Sequence, residues 1–302
     1  MTAPRVHVGP TALPRLEQAV RNGGGSVVPL AEADAIVYHG NDEVDEILGM
    51  LHPGVTWVQL PHAGVERWTS AGVTDDGRLW TSAVGAYAPQ VAEHALALLL
   101  LGARGLHTLA RVDHWTERAT RPLAGSTVAL VGAGGIARAL ARLLEPLECR
   151  LLAVSDSGDF PGAERTVPRA AYRDVLPDAD HVVLSAPSTP ETRGMIGGAE
   201  LRLMRPDAWL VNVARGDLVV TDDLVAALRA GTIGGAALDV TDPEPLPDGH
   251  PLWTLPNAFI SPHAANPETA YWATLETRVR ENVRRLGDGQ EPLGRIDASQ
   301  GF

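Results

Sequence analysis

The chain has 302 residues, 45% of them hydrophobic and 21% charged, with one cysteine and a formal net charge of −12. That length fits two domains better than one, in an ordinary globular composition. An acidic chain without a basic run argues against nucleic-acid binding, which rests on neutralising phosphates. The longest apolar run, residues 95–101, falls far short of the roughly 20 residues a bilayer needs. Lone Cys149 excludes an intrachain disulfide and a thiolate metal site, and reads as a small buried hydrophobe. Met1-Thr2-Ala3-Pro4-Arg5 has no signal-peptide core, so a cytoplasmic location is expected.

In chain order, strands are predicted over residues 5–8, 26–30, 35–38, 56–60 and 79–82. Helices are predicted over 13–22, stopped by Gly23-Gly24-Gly25, and over 42–51, where Val44, Ile47, Leu48 and Leu51 recur at helical spacing. Such βαβ alternation implies a parallel sheet with helices on both faces. Pro61-His62-Ala63-Gly64 follows a strand and precedes a short helical piece over 65–70, so its backbone N–H groups suit an anion; Val84-Gly85-Ala86-Tyr87 ends the next strand. Both loops read equally as plain glycine turns. Residues 87–103 form a long helix, apolar nearly all round and therefore buried between domains or against a second subunit. Glu93-His94 within it suits catalysis, although a paired polar spot in a buried helix is the simpler reading.

Then comes Thr127-Val128-Ala129-Leu130-Val131-Gly132-Ala133-Gly134-Gly135-Ile136-Ala137, an apolar strand entering a glycine turn that opens a helix over 136–144. Gly132 and Gly134 suit a tight turn and close approach to a pyrophosphate, and Ala137 takes the small helix-packing position. The next strand, 150–154, ends at Ser155-Asp156. A carboxylate about 20 residues beyond the glycines holds the ribose 2′-OH of NAD and repels the 2′-phosphate of NADP, so Asp156 is the cofactor-choice residue; NADP stays open. Further strands are expected at 181–185, 208–213, 236–240 and 258–260. Helices are expected over 221–230, N-capped by Thr221-Asp222-Asp223 and closed by Gly231, and from 266 to about 286, returning to the first domain.

The last three strands share a rule: each leads into a loop carrying one chemically useful side chain. They are Arg215, Glu244 in Asp242-Pro243-Glu244-Pro245, and His263 in Ser261-Pro262-His263. Loops leaving the carboxyl ends of neighbouring parallel strands meet in one crevice. Arg, Glu and His gathered there supply a cation for an anionic substrate and a carboxylate–imidazole pair for proton transfer.

These residues resemble the D-isomer-specific 2-hydroxyacid dehydrogenase family, glyoxylate/hydroxypyruvate reductase-like members included. The motifs that carry the resemblance are Val91-Ala92-Glu93-His94, the glycine turn, Ser188-Thr189-Pro190-Glu191-Thr192, Asn212-Val213-Ala214-Arg215-Gly216, Ala237-Leu238-Asp239-Val240 and Ser261-Pro262-His263-Ala264. The resemblance implies an α/β fold of two Rossmann/flavodoxin-like, doubly wound parallel-sheet domains with the active site in the cleft between them. The substrate domain would comprise residues 1–88 and 266–302, and an NAD-binding domain, 89–265, would be inserted in it. Arg215, Glu244 and His263 would be the catalytic residues. Gly132, Gly134, Gly135, Ile136 and Asp156 would bind the cofactor, joined by Ala186, Thr192, Val213, Ala214, Asp239 and His263. Asp239 would meet the nicotinamide carboxamide. Ala63 and Gly64 would share the substrate carboxylate with Arg215; His62 stands beside them, although it reads more readily as a surface or core residue.

The implied reaction reduces a small 2-oxo acid to the D-2-hydroxy acid with NAD(P)H, His263 giving the proton and Glu244 stabilising the imidazolium. No metal is implied, and a homodimer is expected, since the family usually pairs through its nucleotide domains. The acidic ribose residue usually stands at the Ser155 position, a departure that touches cofactor choice; no regulatory domain follows Phe302. Glyoxylate- or hydroxypyruvate-like substrates are favoured. No Arg lies between Thr56 and Glu66 to take a phosphate, and the Glu244–His263 pair argues against formate oxidation. An NAD(H)-sensing, corepressor-like binding protein of the same fold is the alternative, without the extra partner-binding segments such proteins carry.

Overall fold

Short β-branched and apolar runs alternate with helices along almost the whole chain. The structure is a computed structural model that describes residues 3–40, 43–115, 117 and 120–297. The first stretch runs β1 (Arg5–Gly9), α1 (Pro14–Asn22), β2 (Ser26–Val27), β3 (Ala35–Tyr38), α2 (Val44–Leu48), β4 (Trp57–Gln59), α3 (Glu66–Ser70) and β5 (Leu79–Thr81). There follow α4 (Ala88–Arg104), α5 (Leu106–Leu109), β6 (Thr127–Val131), α6 (Gly135–Leu144), β7 (Arg150–Val154), β8 (Arg165–Val167) and β9 (His181–Leu184). The chain ends with α7 (Gly198–Leu203), β10 (Trp209–Asn212), α8 (Thr221–Ala230), β11 (Gly235–Leu238), β12 (Ala258–Ile260) and α9 (Glu268–Gly287).

Two compact units result: Met1–Tyr87 with Pro267–Phe302, and Ala88–Asn266. Unit 1 holds a five-stranded sheet in the order β2-β1-β3-β4-β5, parallel throughout. Val6, Val8, Val37 and Trp57 face α1 and the Leu275, Val279 and Val283 stripe of α9, while Ile36, Tyr38 and Val58 fill the opposite core. The two ends of the chain, residues 6–57 and 275–283, are thus tied together by burial of apolar surface.

Unit 2 holds a seven-stranded parallel sheet, β12-β11-β10-β9-β6-β7-β8. Its strands are apolar at nearly every position because both faces are covered. Ala129, Val131, Val182, Leu184 and Leu210 point into one core, and Val128, Leu130, Val183 and Val211 into the other. The strand order reverses between β6 and β9, which opens a ligand crevice at their carboxyl ends.

Several boundaries differ from the expectation. The strand expected over 26–30 stops at Val27, because Pro29 has no N–H to pair and Leu30–Glu32 coils into a 3₁₀ turn. The helix expected over 42–51 is reduced to Val44–Leu48, ending at Gly49; Asp42 lies outside the described residues. Strand β8 and helix α7 were not foreseen. The buried side of α4 is satisfied inside unit 2: Ala92, Ala95, Leu98 and Leu99 lie in the core with Leu140 and Leu144 of α6, and Gly102 lets Trp209 pack against the helix. Thr221 does not cap α8; its hydroxyl donates instead to the Asp242 carbonyl at 2.5 Å. No helix among the described residues is long and apolar enough to cross a membrane.

Candidate active site

The adjacency of β10, β11 and β12 brings the loops carrying Arg215, Glu244 and His263 to one edge of the unit 2 sheet. The Arg215 loop is stapled by Asn212, whose side-chain amide donates to the Arg215 carbonyl at 2.8 Å and accepts from the Ala214 N–H at 3.0 Å. Arg215 itself is half-buried and donates to the Ala214 carbonyl at 2.7 Å. Next to it, Gly216 lies so close to the second loop that a Cβ there would overlap the Thr241 carbonyl. Only glycine permits that approach.

Glu244 Oε1 and His263 Nδ1 are 2.6 Å apart, within charge-assisted hydrogen-bond range. The other Glu244 oxygen accepts the Thr241 N–H at 3.3 Å, which aims the carboxylate. His263 has φ +50°, an uncommon backbone for a non-glycine residue, and its N–H donates to the Asp239 carbonyl at 2.7 Å.

Asp239 braces this loop. Its buried carboxylate accepts the Ala264 and Ala265 N–H groups at 2.8 and 3.2 Å and the Ser261 hydroxyl at 2.8 Å. His94 on α4 reaches the same place, with Nε2 2.8 Å from Ser261 Oγ and 3.2 Å from Asp239 Oδ1. Burial pushes the Asp239 carboxyl up, but hydrogen bonds from His94, Ser261 and the Ala264 N–H outweigh it and hold it below the ordinary carboxylate range. His94 is therefore a paired polar group at the edge of the candidate site, while Glu93 is exposed. The bracing part of Ser261 rests on partners 22 and 167 residues away, whereas Thr241 bonds within its own turn, to Glu244 and the Pro243 carbonyl.

The glycine turn fits a dinucleotide. Gly132 has φ +112°, and a Cβ there would stand 2.6 Å from the Ala186 nitrogen at the end of the neighbouring strand. Gly134 precedes α6, no side chain caps the helix, and the space where its Cβ would stand is open. The first-turn N–H groups of Gly135, Ile136 and Ala137 are thus presented to an anion. Thr192 is buried and spends its hydroxyl on the loop, donating to the Pro187 carbonyl at 2.7 Å and accepting from the Thr189 N–H at 2.8 Å. Val213 and Ala214 are buried just past the end of β10.

Asp156 stands at the end of β7 but is already engaged: Oδ1 accepts the Arg169 N–H at 2.7 Å, and Oδ2 lies 3.2 Å from the Arg169 guanidinium. Ser155 is buried with its hydroxyl 2.9 Å from Ser157. In unit 1, the Pro61-His62-Ala63-Gly64 loop is held by the Tyr87 hydroxyl on the Pro61 carbonyl at 2.7 Å and the Ala83 N–H on the His62 carbonyl at 2.9 Å. The His62 ring lies 5.8 Å from that of Tyr271, Ala63 is exposed and Gly64 half-buried.

Comparison with known proteins supplies an independent view. Residues 96–265 match the family model described as D-isomer specific 2-hydroxyacid dehydrogenase, NAD binding domain. The chain is 37% identical to an uncharacterised protein of Corynebacterium melassecola, over 94% of this chain and 95% of that one. It is 31% identical to a glyoxylate reductase of Thermofilum pendens, over 91% and 80% of the two chains. Among solved structures it resembles a D-isomer specific 2-hydroxyacid dehydrogenase from Xanthobacter autotrophicus in complex with NADPH and MES. That likeness has a TM-score of 0.84 and 25% identity and covers 100% of both chains.

Proposed function

The chain belongs to the D-isomer specific 2-hydroxyacid dehydrogenase family, NAD(P)-dependent oxidoreductases, and we propose that it reduces a small 2-oxo acid of the glyoxylate or hydroxypyruvate kind. The observation that carries the reading is the 2.6 Å Glu244–His263 pair at the strand edge that also bears Arg215. The name of the Thermofilum pendens relative supports the substrate class.

Bound NADH or NADPH supplies the hydride. The Arg215 guanidinium holds the substrate carboxylate and draws electron density from the adjacent carbonyl. With Nδ1–H directed at Glu244, the His263 imidazolium presents Nε2–H to the carbonyl oxygen, and that proton completes the hydroxyl as the C=O π bond is lost. In the reverse direction neutral His263 takes the proton back. Asp239 acts through position: its carbonyl and carboxylate fix the 263–265 backbone that carries the imidazole. The contributions of Ala63, Gly64 and His62 to substrate binding, a homodimeric state and a cytoplasmic location complete the proposal; light scattering tests the dimer.

The experiment is oxidation of NADH and NADPH with a panel of 2-oxo acids, run on the parent chain and on His263→Ala. Turnover of glyoxylate or hydroxypyruvate is expected in the parent and a fall of roughly 10²–10⁴-fold in the variant, with NADH still bound. Full activity of the variant would remove His263 from the mechanism. An inert parent would remove the substrate assignment.

A further inference from the structure

At the outer end of unit 2, an open pocket of about 450 Å³ is lined by Asp156, Arg169, Ala170, Tyr172, Glu191 and Met195. It lies at the end of β7, where the ribose nearest the adenine of a dinucleotide belongs, so the inference rests on the cofactor assignment above. Among the described residues that line it, Arg169 is the one cation, and two carboxylates hold it: Asp156 Oδ2 at 3.2 Å from Nε and Glu191 Oε2 at 4.0 Å from Nη1. The Thr189 hydroxyl donates to Glu191 at 2.7 Å. That bond, with a backbone N–H and Arg169, keeps the Glu191 carboxyl below the ordinary carboxylate range.

We propose that Arg169 is the 2′-phosphate ligand of this enzyme, and that Asp156 and Glu191 restrain it, setting the choice between NADH and NADPH. Asp156 alone would merely repel a phosphate. The structure shows a different arrangement, in which the repelling group also occupies the attracting one. All three side chains are about half exposed, with Arg169 at 46%, Asp156 at 58% and Glu191 at 64%. Ion pairs so exposed are weak, so the guanidinium exchanges readily. A phosphate dianion offers it a two-point contact that the one-point pair with Asp156 lacks. The cost of NADPH binding is then the loss of the Asp156 and Glu191 contacts together with the closeness of their charges. With NADH, Asp156 remains paired to Arg169 and accepts a ribose hydroxyl.

The backbone gives a clean way to separate these parts. Asp156 also anchors the loop through the Arg169 N–H at 2.7 Å, and an asparagine carbonyl can take over that bond. Asp156→Asn therefore releases the guanidinium without releasing the loop. The test is fluorescence titration of NADH and NADPH with the parent, Asp156→Asn, Arg169→Gln and the double variant, which needs no turnover and so stands apart from the substrate assignment. In Asp156→Asn the ratio of Kd values is expected to move at least tenfold toward NADPH. In Arg169→Gln it should move toward NADH, and in the double variant the gain should disappear. A double variant that keeps the gain would show that relief of repulsion suffices and overturn the proposal, as would an Asp156→Asn protein with the parent's ratio. Normal NADH binding in Arg169→Gln confirms that the nucleotide site itself is intact.

Discussion

The Arg215 backbone is anchored by Asn212 through its carbonyl, so a change at the guanidinium tip leaves that staple of the loop in place. Arg215→Lys keeps the charge but loses the planar fork. A fall of about 10–100-fold in kcat/KM for 2-oxo acids is expected, with NADH affinity unchanged. A variant with parental kinetics would place the carboxylate elsewhere. His181 offers a second residue-scale prediction, this one on stability. It is buried at the start of β9, its Nδ1 has no hydrogen-bond partner, and burial lowers its pKa from 6.5 to about 4, against the weaker opposing pull of Asp180 and Asp207. The unfolded chain takes up this proton near pH 6.5 and the folded chain only near pH 4, so unfolding draws in a proton between those values. The stability contributed by the neutral ring is complete above pH 6.5 and is lost as pH falls toward 4, by about 3 kcal/mol at most. His181→Val should remove that part of the acid loss in urea titrations at pH 7 and pH 4.5. Equal losses in variant and parent would show that other groups drive acid unfolding.

At the scale of elements, two glycines that look alike in sequence do opposite jobs. Gly216 is closed in by the Thr241 backbone, whereas Gly134 faces open space at the start of α6. Gly216→Ala should cost about 1–3 kcal/mol by overpacking and pull the Arg215 loop off its partner. Gly134→Ala should leave the melting temperature within a few degrees yet weaken NADH binding, because the methyl group meets the cofactor and not the protein. The reverse pattern would mean that the glycine turn is not the dinucleotide cradle. Periodicity made β6, β9, β10 and α6 readable, since long apolar runs and a glycine turn are strong local signals. Strand β8 is not legible because Arg165-Thr166-Val167 is only three residues, two of them polar, at a sheet edge. That His94 is a paired polar spot is legible in a buried helix, but the identity of its partner and the part of Arg169 are not: those partners lie 145 and 13 residues away, and no local pattern encodes such pairings. The charged triad was legible because each member leaves a strand end; the Asn212, Thr241 and Ser261 braces were not, since a polar loop residue reveals its bond only once the loop is folded.

For the whole molecule, the division of the chain between the units carries a consequence for folding. Unit 2 is continuous from Ala88 to Asn266 and contains both faces of its own sheet core. Unit 1 is assembled from both ends, and the face of its sheet bearing Val6, Val8, Val37 and Trp57 is covered in part by Leu275, Val279 and Val283 of α9. A fragment of residues 1–87 lacks that cover, and large apolar residues left uncovered forfeit about 1.5–3 kcal/mol each, which is a large share of a small domain's net stability. Residues 1–87 alone should therefore show no cooperative melt, whereas residues 88–266 should fold, melt cooperatively and bind NADH. Ligand at 100 times its Kd stabilises the folded form by about 2.7 kcal/mol. For a domain of this size that corresponds to a rise of roughly 5–10 °C in Tm. Circular dichroism and thermal shift on the two fragments decide the matter. A cooperative 1–87 fragment would show that α9 is dispensable to its core. An 88–266 fragment that melts without cooperativity would show that the nucleotide unit depends on the chain ends for its fold. One that melts cooperatively with a Tm that ignores NADH would show that it folds alone but does not bind the cofactor alone.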